Sequence, residues 1–149
     1  MLKKFKMEDC KPILTPMVTG CKLSIDESSK DVDQRLYISM IGSLLYVTAS
    51  QPDVMQVVGQ VVRFQEAPKE SHIIVVKRIL RYLKRREEYG LWYPNDKNLI
   101  IQAFTDADWA GSIDDRKSTS GAEFYLGGCL ISWLRKKKTS ISLSTAEAE

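Results

Sequence analysis

The stretch KESHIIVVKRILRYLKRREEYGLWYPNDKNLIIQAFT, residues 69–105, changes its periodicity part-way, and that change decides the fold class. In its first half Ile73, Val76, Ile79, Leu80 and Leu83 recur at helical spacing, with Lys77, Arg78, Arg81 and Lys84 on the other side. The spacing predicts a helix over 69–85 with one apolar face. Gly90, Leu91, Trp92 and Tyr93 read as a short strand, and Pro94-Asn95-Asp96 is a turn signature. Beyond the turn, residues 99–105 form an apolar run of strand length. Helices before the turn and strands after it give an α+β fold, with a domain boundary near residue 95.

Working towards the N-terminus, Tyr37, Met40, Ile41, Leu44, Leu45 and Val47 follow helical spacing and predict a first helix from residue 36. Gly42 weakens it but permits close packing. Ser50-Gln51-Pro52-Asp53 reads as a helix start, because Ser can cap and Pro is tolerated in the first turn. Val54, Val57, Val58, Val61 and Val62 then line a second helix that tertiary packing must hold, since β-branched residues are weak helix formers. Residues 1–33, with Pro12, Pro16, Gly20 and a polar cluster over 24–33, read as an extended arm.

Working towards the C-terminus, 118–126 and 129–134 are strand-like runs separated by Gly127-Gly128, which predicts a hairpin. A fourth strand is expected over 140–143. Ser144-Thr145-Ala146-Glu147 has the form of a capping box that opens a helix.

The chain has 149 residues, 44% hydrophobic and 28% charged, an ordinary globular composition that excludes disordered and collagen-like classes. A net charge of +3 does not by itself imply a nucleic-acid partner. Its distribution is more informative: bases bunch at Lys84, Arg85 and Arg86 and again over 135–138, and acids gather at Asp106, Asp108, Asp114 and Asp115. Cys10, Cys21 and Cys129 have no Cys-x-x-Cys spacing and one His for company, which argues against a disulfide framework or structural zinc. No signal-peptide core or bilayer-length apolar run is visible, so the expected setting is intracellular, cytoplasmic or nuclear, with no membrane contact. His72 has no acidic or nucleophilic neighbour in sequence and reads as structural or solvent-facing.

Three groups of residues could carry chemistry. Asp106 and Asp108 stand where the strand from residue 99 gives out, a setting that suits Mg²⁺, though Asp also starts turns without any further role. Glu147 and Glu149 open the last helix; Glu147 reads as the capping residue, and either carboxylate could simply oppose the helix dipole. Arg116, Lys117 and Ser118, with Arg135, Lys136, Lys137 and Lys138, are donors suited to phosphate oxygens, with Trp133 near enough to stack on a base; a solvated turn and a core tryptophan are the plainer alternatives.

The residues also carry a resemblance. Residues 37–46 (YISMIGSLLY), Gln51-Pro52-Asp53, and 77–84 (KRILRYLK) resemble the copia-type retrotransposon Pol region that follows the polymerase palm. Residues 106–111 (DADWAG), 115–121 (DRKSTSG), Ile131-Ser132-Trp133 and 143–149 (LSTAEAE) resemble the opening of that family's RNase H domain, in the family's order. The resemblance implies a helical reverse-transcriptase thumb or connection segment over 34–95 and an incomplete RNase H-like mixed α/β sheet over 96–149. It implies that Asp106 and Glu149 are Mg²⁺-binding catalytic positions and that the parent protein hydrolyses RNA in RNA–DNA hybrids. The family's later RNase H Asp residues and the polymerase Asp pair have no counterpart, so the segment alone is expected to be inactive; the alternative is a non-catalytic nucleic-acid-binding module. Within the motifs, Gln51 and Ile38 each replace Arg, Lys84-Arg85-Arg86 replaces Lys-Gly-Thr, and Arg135-Lys136-Lys137-Lys138 replaces Ser-Lys-Lys-Gln. Loss of Gly at position 85 is expected to strain a turn. A sheet without covering helices is expected to leave apolar strand faces in water.

Overall fold

The structure is a computed structural model that describes residues 1–26, 28–95 and 99–148. It divides into two compact units, Met1–Tyr89 and Gly90–Glu149. The division precedes the expected boundary near 95 by a few residues, and the expected turn at 94–96 runs into positions outside the described residues.

The first unit is helical. Helix α1 spans Gln34–Val47, α2 spans Met55–Val61 and α3 spans Glu70–Arg85, with 3₁₀ turns at Lys3–Phe5, Pro52–Val54 and Val62–Phe64. The start of α1 lies upstream of residue 36 because Asp33 caps it, accepting from the backbone N–H groups of Arg35 (2.9 Å) and Leu36 (3.2 Å). Tyr37, Met40, Ile41 and Leu44 from α1 meet Val57, Val58 and Val61 from α2 and Ile79 and Leu80 from α3 in one apolar core. The Tyr37 hydroxyl donates to the Val61 carbonyl at 2.7 Å, and burial pushes the phenol well above its usual range. Helix α2 is shorter than its valine run, since Val62 has passed into a 3₁₀ turn. Gly42 does not mediate close packing as expected: a methyl there would meet open space.

Helix α3 is fixed at both ends. At its start, His72 Nδ1 accepts from the Lys69 backbone N–H (3.1 Å), so Nε2 carries the proton donated to the Ser24 carbonyl (2.9 Å), while the ring stacks on Phe64. His72 is thus structural and buried, and the solvent-facing alternative falls. At its other end, Asp53 accepts from the Tyr82 hydroxyl and pairs with Arg86 at 3.3 Å. Burial, then the Asp53 hydrogen bond, push the Tyr82 phenol up to about 12. The expected strain at position 85 is absent, because Arg85 continues the helix and Arg86 has φ −94°.

The basic face of α3 holds the N-terminal arm. Arg78 donates to Thr15 Oγ1 (2.9 Å), Arg81 to the Lys11 carbonyl (2.8 Å), and Lys84 to the carbonyls of Cys10 (3.0 Å) and Glu8. Leu2, Phe5, Met7, Ile13, Met17 and Leu23 add their apolar groups to the core. The arm over 1–33 is extended but belongs to the helical unit. No helix among the described residues is long and apolar enough to cross a membrane.

The second unit is a three-stranded antiparallel sheet, β1 Ile101–Asp108, β2 Thr119–Leu126 and β3 Cys129–Lys137, in the order β1-β2-β3. Gly127 and Gly128 both have positive φ (58° and 79°), the conformation that a two-residue hairpin loop between right-twisted strands requires. Neither 90–93 nor 140–143 is a strand. In the latter segment the Ser142 carbonyl accepts from Trp109 Nε1 at 3.1 Å, a tertiary bond rather than a ladder bond. A one-turn helix, α4, covers Thr145–Ala148.

As expected of an uncovered sheet, large apolar strand residues face water: Ile101 is 72% and Phe104 57% exposed. Ser112, Ser118, Thr119 and Ser142 are buried instead, with Ala148. Among the described residues, four α-helices and three strands are the content of an α+β protein.

Candidate metal and nucleic-acid site

Strand β1 runs through Asp108, so both aspartates lie within the ladder rather than beyond its end. Side chains two apart on a strand share a face, and the register therefore lines up rows across it. One row is Asp106, Gly121 and Arg135; the next is Asp108, Thr119 and Lys137. Carboxylates and cations meet on this face, while Lys136 belongs to the other.

The two aspartates differ. Asp108 accepts from the Thr119 backbone N–H through Oδ1 and faces Arg135 across 3.9 Å through Oδ2. It also lies against the following turn, where a methyl at Gly111 would come within 2.7 Å of Asp108 Cγ. Asp106 is exposed, opposite a residue without a side chain, and its carboxylate has no hydrogen bond or ion pair among the described residues. Asp108 is engaged in structure and Asp106 is available to a ligand.

The turn that follows β1 is closed by Ser112 and Lys117: the Ser112 N–H donates to the Lys117 carbonyl (3.3 Å) and the Arg116 N–H to the Ser112 carbonyl (2.9 Å). Lys137 reaches from β3 to Asp115 at 2.7 Å and to Ser112 Oγ at 3.4 Å. Burial raises the Asp115 carboxyl, but hydrogen bonds from Lys137, Ser112 and the Lys117 N–H, with the Lys137 charge, outweigh it and hold the group down at about 2.

The expected phosphate donors therefore do not form one patch. Ser118 is fully buried, and its hydroxyl accepts from the Ala110 N–H at 3.1 Å, so it cannot meet a phosphate. Lys117 lies 4.0 Å from Asp115, and Arg135 and Lys137 face carboxylates. Arg116 and Lys136 are exposed, Lys138 and Trp133 half-buried. Alternation along β3 could have sorted 135–138 in advance; which carboxylate each cation would meet depends on a cross-strand register that no local signal encodes.

Glu149 lies outside the described residues. Glu147 acts as a cap: its N–H donates to Ser144 Oγ (3.3 Å) and its carboxylate accepts from the Leu143 N–H (2.7 Å), one residue further back than a regular capping box. Among the described residues no group of three His, Cys, Asp or Glu side chains is placed to hold a metal ion. Asp106 offers one hard oxygen ligand of the kind Mg²⁺ takes.

Over its whole length the chain is 38% identical to the Retrovirus-related Pol polyprotein from transposon RE1 of Arabidopsis thaliana, covering 10% of that protein. It is also 38% identical over 156 residues to the Retrovirus-related Pol polyprotein from transposon TNT 1-94 of Nicotiana tabacum, again along its whole length and covering 12% of that protein. The chain belongs to the copia-type retrotransposon Pol family. This Pol segment spans about a tenth of the length of the polyproteins it matches. It is also 35% identical, end to end, to the Uncharacterized mitochondrial protein AtMg00810 of Arabidopsis thaliana, of which it covers 62%. No family model and no solved structure matches it.

Proposed function

We propose that this Pol segment comes from the junction of the reverse transcriptase and RNase H regions: the helical unit is a thumb or connection element, and the sheet unit is the first part of an RNase H-like domain. In the parent protein that domain hydrolyses the RNA strand of RNA–DNA hybrids, inside the cell. The observation that carries this reading is the division of labour between Asp106 and Asp108. An exposed, unengaged carboxylate on a paired strand can serve as one of the several ligands that divalent-metal phosphodiester chemistry uses, and the neighbouring carboxylate holds the Thr119 N–H.

In this reading Asp106 and Glu149 are the two family metal positions carried by the segment. Mg²⁺ bound there would neutralise the phosphate and sharpen a water into a nucleophile. Asp106 would contribute an anionic oxygen, opposite Gly121 on the neighbouring strand. Two carboxylates are fewer than such chemistry uses, so the segment alone binds metal weakly and does not cleave.

The reading as a stand-alone phosphate-binding module has less support. Arg78, Arg81 and Lys84 hold the arm, and Arg135 and Lys137 face Asp108 and Asp115. The test is a labelled RNA–DNA hybrid with Mg²⁺, given to the segment, to its Asp106→Asn variant, and to a version extended through a complete RNase H domain. Cleavage by the extended version, lost in its Asp106→Asn form, is expected. Cleavage by the segment above a metal-free control, or full activity in the extended Asp106→Asn form, would overturn the reading.

A further inference from the structure

A second candidate site lies within the helical unit. A cleft of about 680 Å³ opens between the arm and α3, within the range of clefts that hold ligands. On α3 it is lined by Ser71, Ile74, Val75 and Arg78, at the i, i+3, i+4, i+7 spacing of one helical stripe, with Lys77 and Arg81 flanking them. Residues of the arm form the facing wall, Met17, Val18 and Leu23 among them, with Lys22 on the rim. Two of its aliphatic side chains lie open to water: Ile74 is 59% and Val18 54% exposed. From Ser71 to Arg81 the stripe is about 15 Å long, the length of roughly three helical turns.

Charge around the cleft is lopsided. Among the described residues Lys22, Lys77, Arg78 and Arg81 border it, against the carboxylate of Asp26, which is engaged by the hydroxyls of Ser28 and Ser29. Arg78 and Arg81 each have one arm contact, whereas Lys22 and Lys77 are exposed and have no ion pair among the described residues. The described residues that line the cleft include no aromatic ring on which a base could stack. An aliphatic floor under a cationic rim complements an amphipathic helix whose polar face is acidic, set into the groove by its apolar face.

We propose that the cleft between the arm and α3 is a docking groove for a short acidic amphipathic helix. Its leucine-like anchors pack on Ile74, Val75 and Val18, and its carboxylates face Lys22 and Lys77. The groove does not depend on the metal site, so the two readings stand or fall separately.

The test uses the full chain and three probes in fluorescence anisotropy: a labelled Leu/Glu amphipathic helical peptide, a peptide of the same composition with its apolar positions scrambled, and a short DNA duplex. The amphipathic peptide is expected to bind more tightly than the scrambled one and not to be displaced by the duplex. Lys22→Glu with Lys77→Glu, and separately Ile74→Asp, are expected to weaken it about tenfold or more. All three positions are exposed, and an unchanged melting temperature checks that each variant is folded. A Leu/Lys version of the peptide is expected to recover binding to the doubly reversed variant. Equal binding of the scrambled peptide, indifference to these substitutions, or displacement by DNA would each overturn the proposal.

Discussion

The helical unit and the sheet unit bury opposite kinds of side chain. In the former, Tyr37, Ile41, Leu44, Val58, Ile79 and Leu80 are sealed from water. In the latter, the sealed side chains among the described residues are hydroxyls and the small Ala148, while Ile101, Phe104, Ile131 and Leu134 stand exposed. Burial of apolar surface contributes about 25 cal/mol per Å², so the helical unit holds itself together by packing. The sheet unit relies on its ladder and on a net of polar contacts at one end: Asp108 to Thr119 and Arg135, Asp115 to Lys137, Ser118 to Ala110. Those hydrogen bonds and ion pairs are worth little net each, which leaves the sheet the less stable unit.

The largest effect that distinguishes the units is truncation of an apolar side chain. Ile79→Ala should cost about 2–5 kcal/mol in urea unfolding followed by helical circular dichroism, whereas Leu134→Ala, half open to water, should change stability by less than about 0.5 kcal/mol. Comparable losses at both positions would mean that the apolar face of the sheet is covered in solution. Next, His72→Ala leaves the Lys69 N–H and the Ser24 carbonyl without their partner and removes the stack on Phe64. A loss of about 1–3 kcal/mol is expected, with faster hydrogen exchange at the start of α3.

How much of this was legible in the sequence follows from the range of the interactions. The helices of the first unit and the three strands were readable because apolar spacing is local, and Gly127-Gly128 announced the hairpin. Strand β1 reached further than its apolar run because pairing with β2 carries Asp106 and Asp108 along with it. The strands expected at 90–93 and 140–143 had composition in their favour but no ladder partner. His72 was ambiguous because its partners, Ser24 and Phe64, come from other segments. Ser118 looked like a phosphate donor by its neighbours Arg116 and Lys117, yet its hydroxyl turns inward to Ala110. The candidacy of Asp106 was visible; what separates it from Asp108 was not, since that rests on Gly111, Thr119 and Arg135 converging on one carboxylate.

Smaller effects sharpen the same contrast. Gly42→Ala, on an exposed helical position with open space for a methyl, should stabilise the helical unit by about 0.5–1 kcal/mol. Arg116, at φ 55°, is the counterpart in the sheet unit, and Arg116→Gly should gain about 1 kcal/mol by removing a left-handed side chain. Either gain would appear as a higher urea midpoint, and a loss at either position would contradict the backbone described here. The smallest effect is a pH dependence. The Asp115 carboxyl is lowered from 3.8 to about 2 in the folded chain, so its contribution is present above pH ~4 and is lost as pH falls towards 2. Because the side chain is over one-third exposed, that contribution is under about 1 kcal/mol. Asp115→Asn should flatten the pH dependence of amide exchange in the 112–117 turn, while the helical unit is unaffected.

Neighbouring aspartates on one strand face differ in their contacts: Asp108 accepts from the Thr119 N–H and faces Arg135, and Asp106 has no hydrogen bond or ion pair among the described residues. Hydrogen exchange at the Thr119 amide, compared between Asp108→Asn and Asp106→Asn, tests this difference most directly. Faster exchange in Asp108→Asn with no change in Asp106→Asn is the predicted result. Equal loss of protection in both, or loss in Asp106→Asn alone, would contradict the assignment.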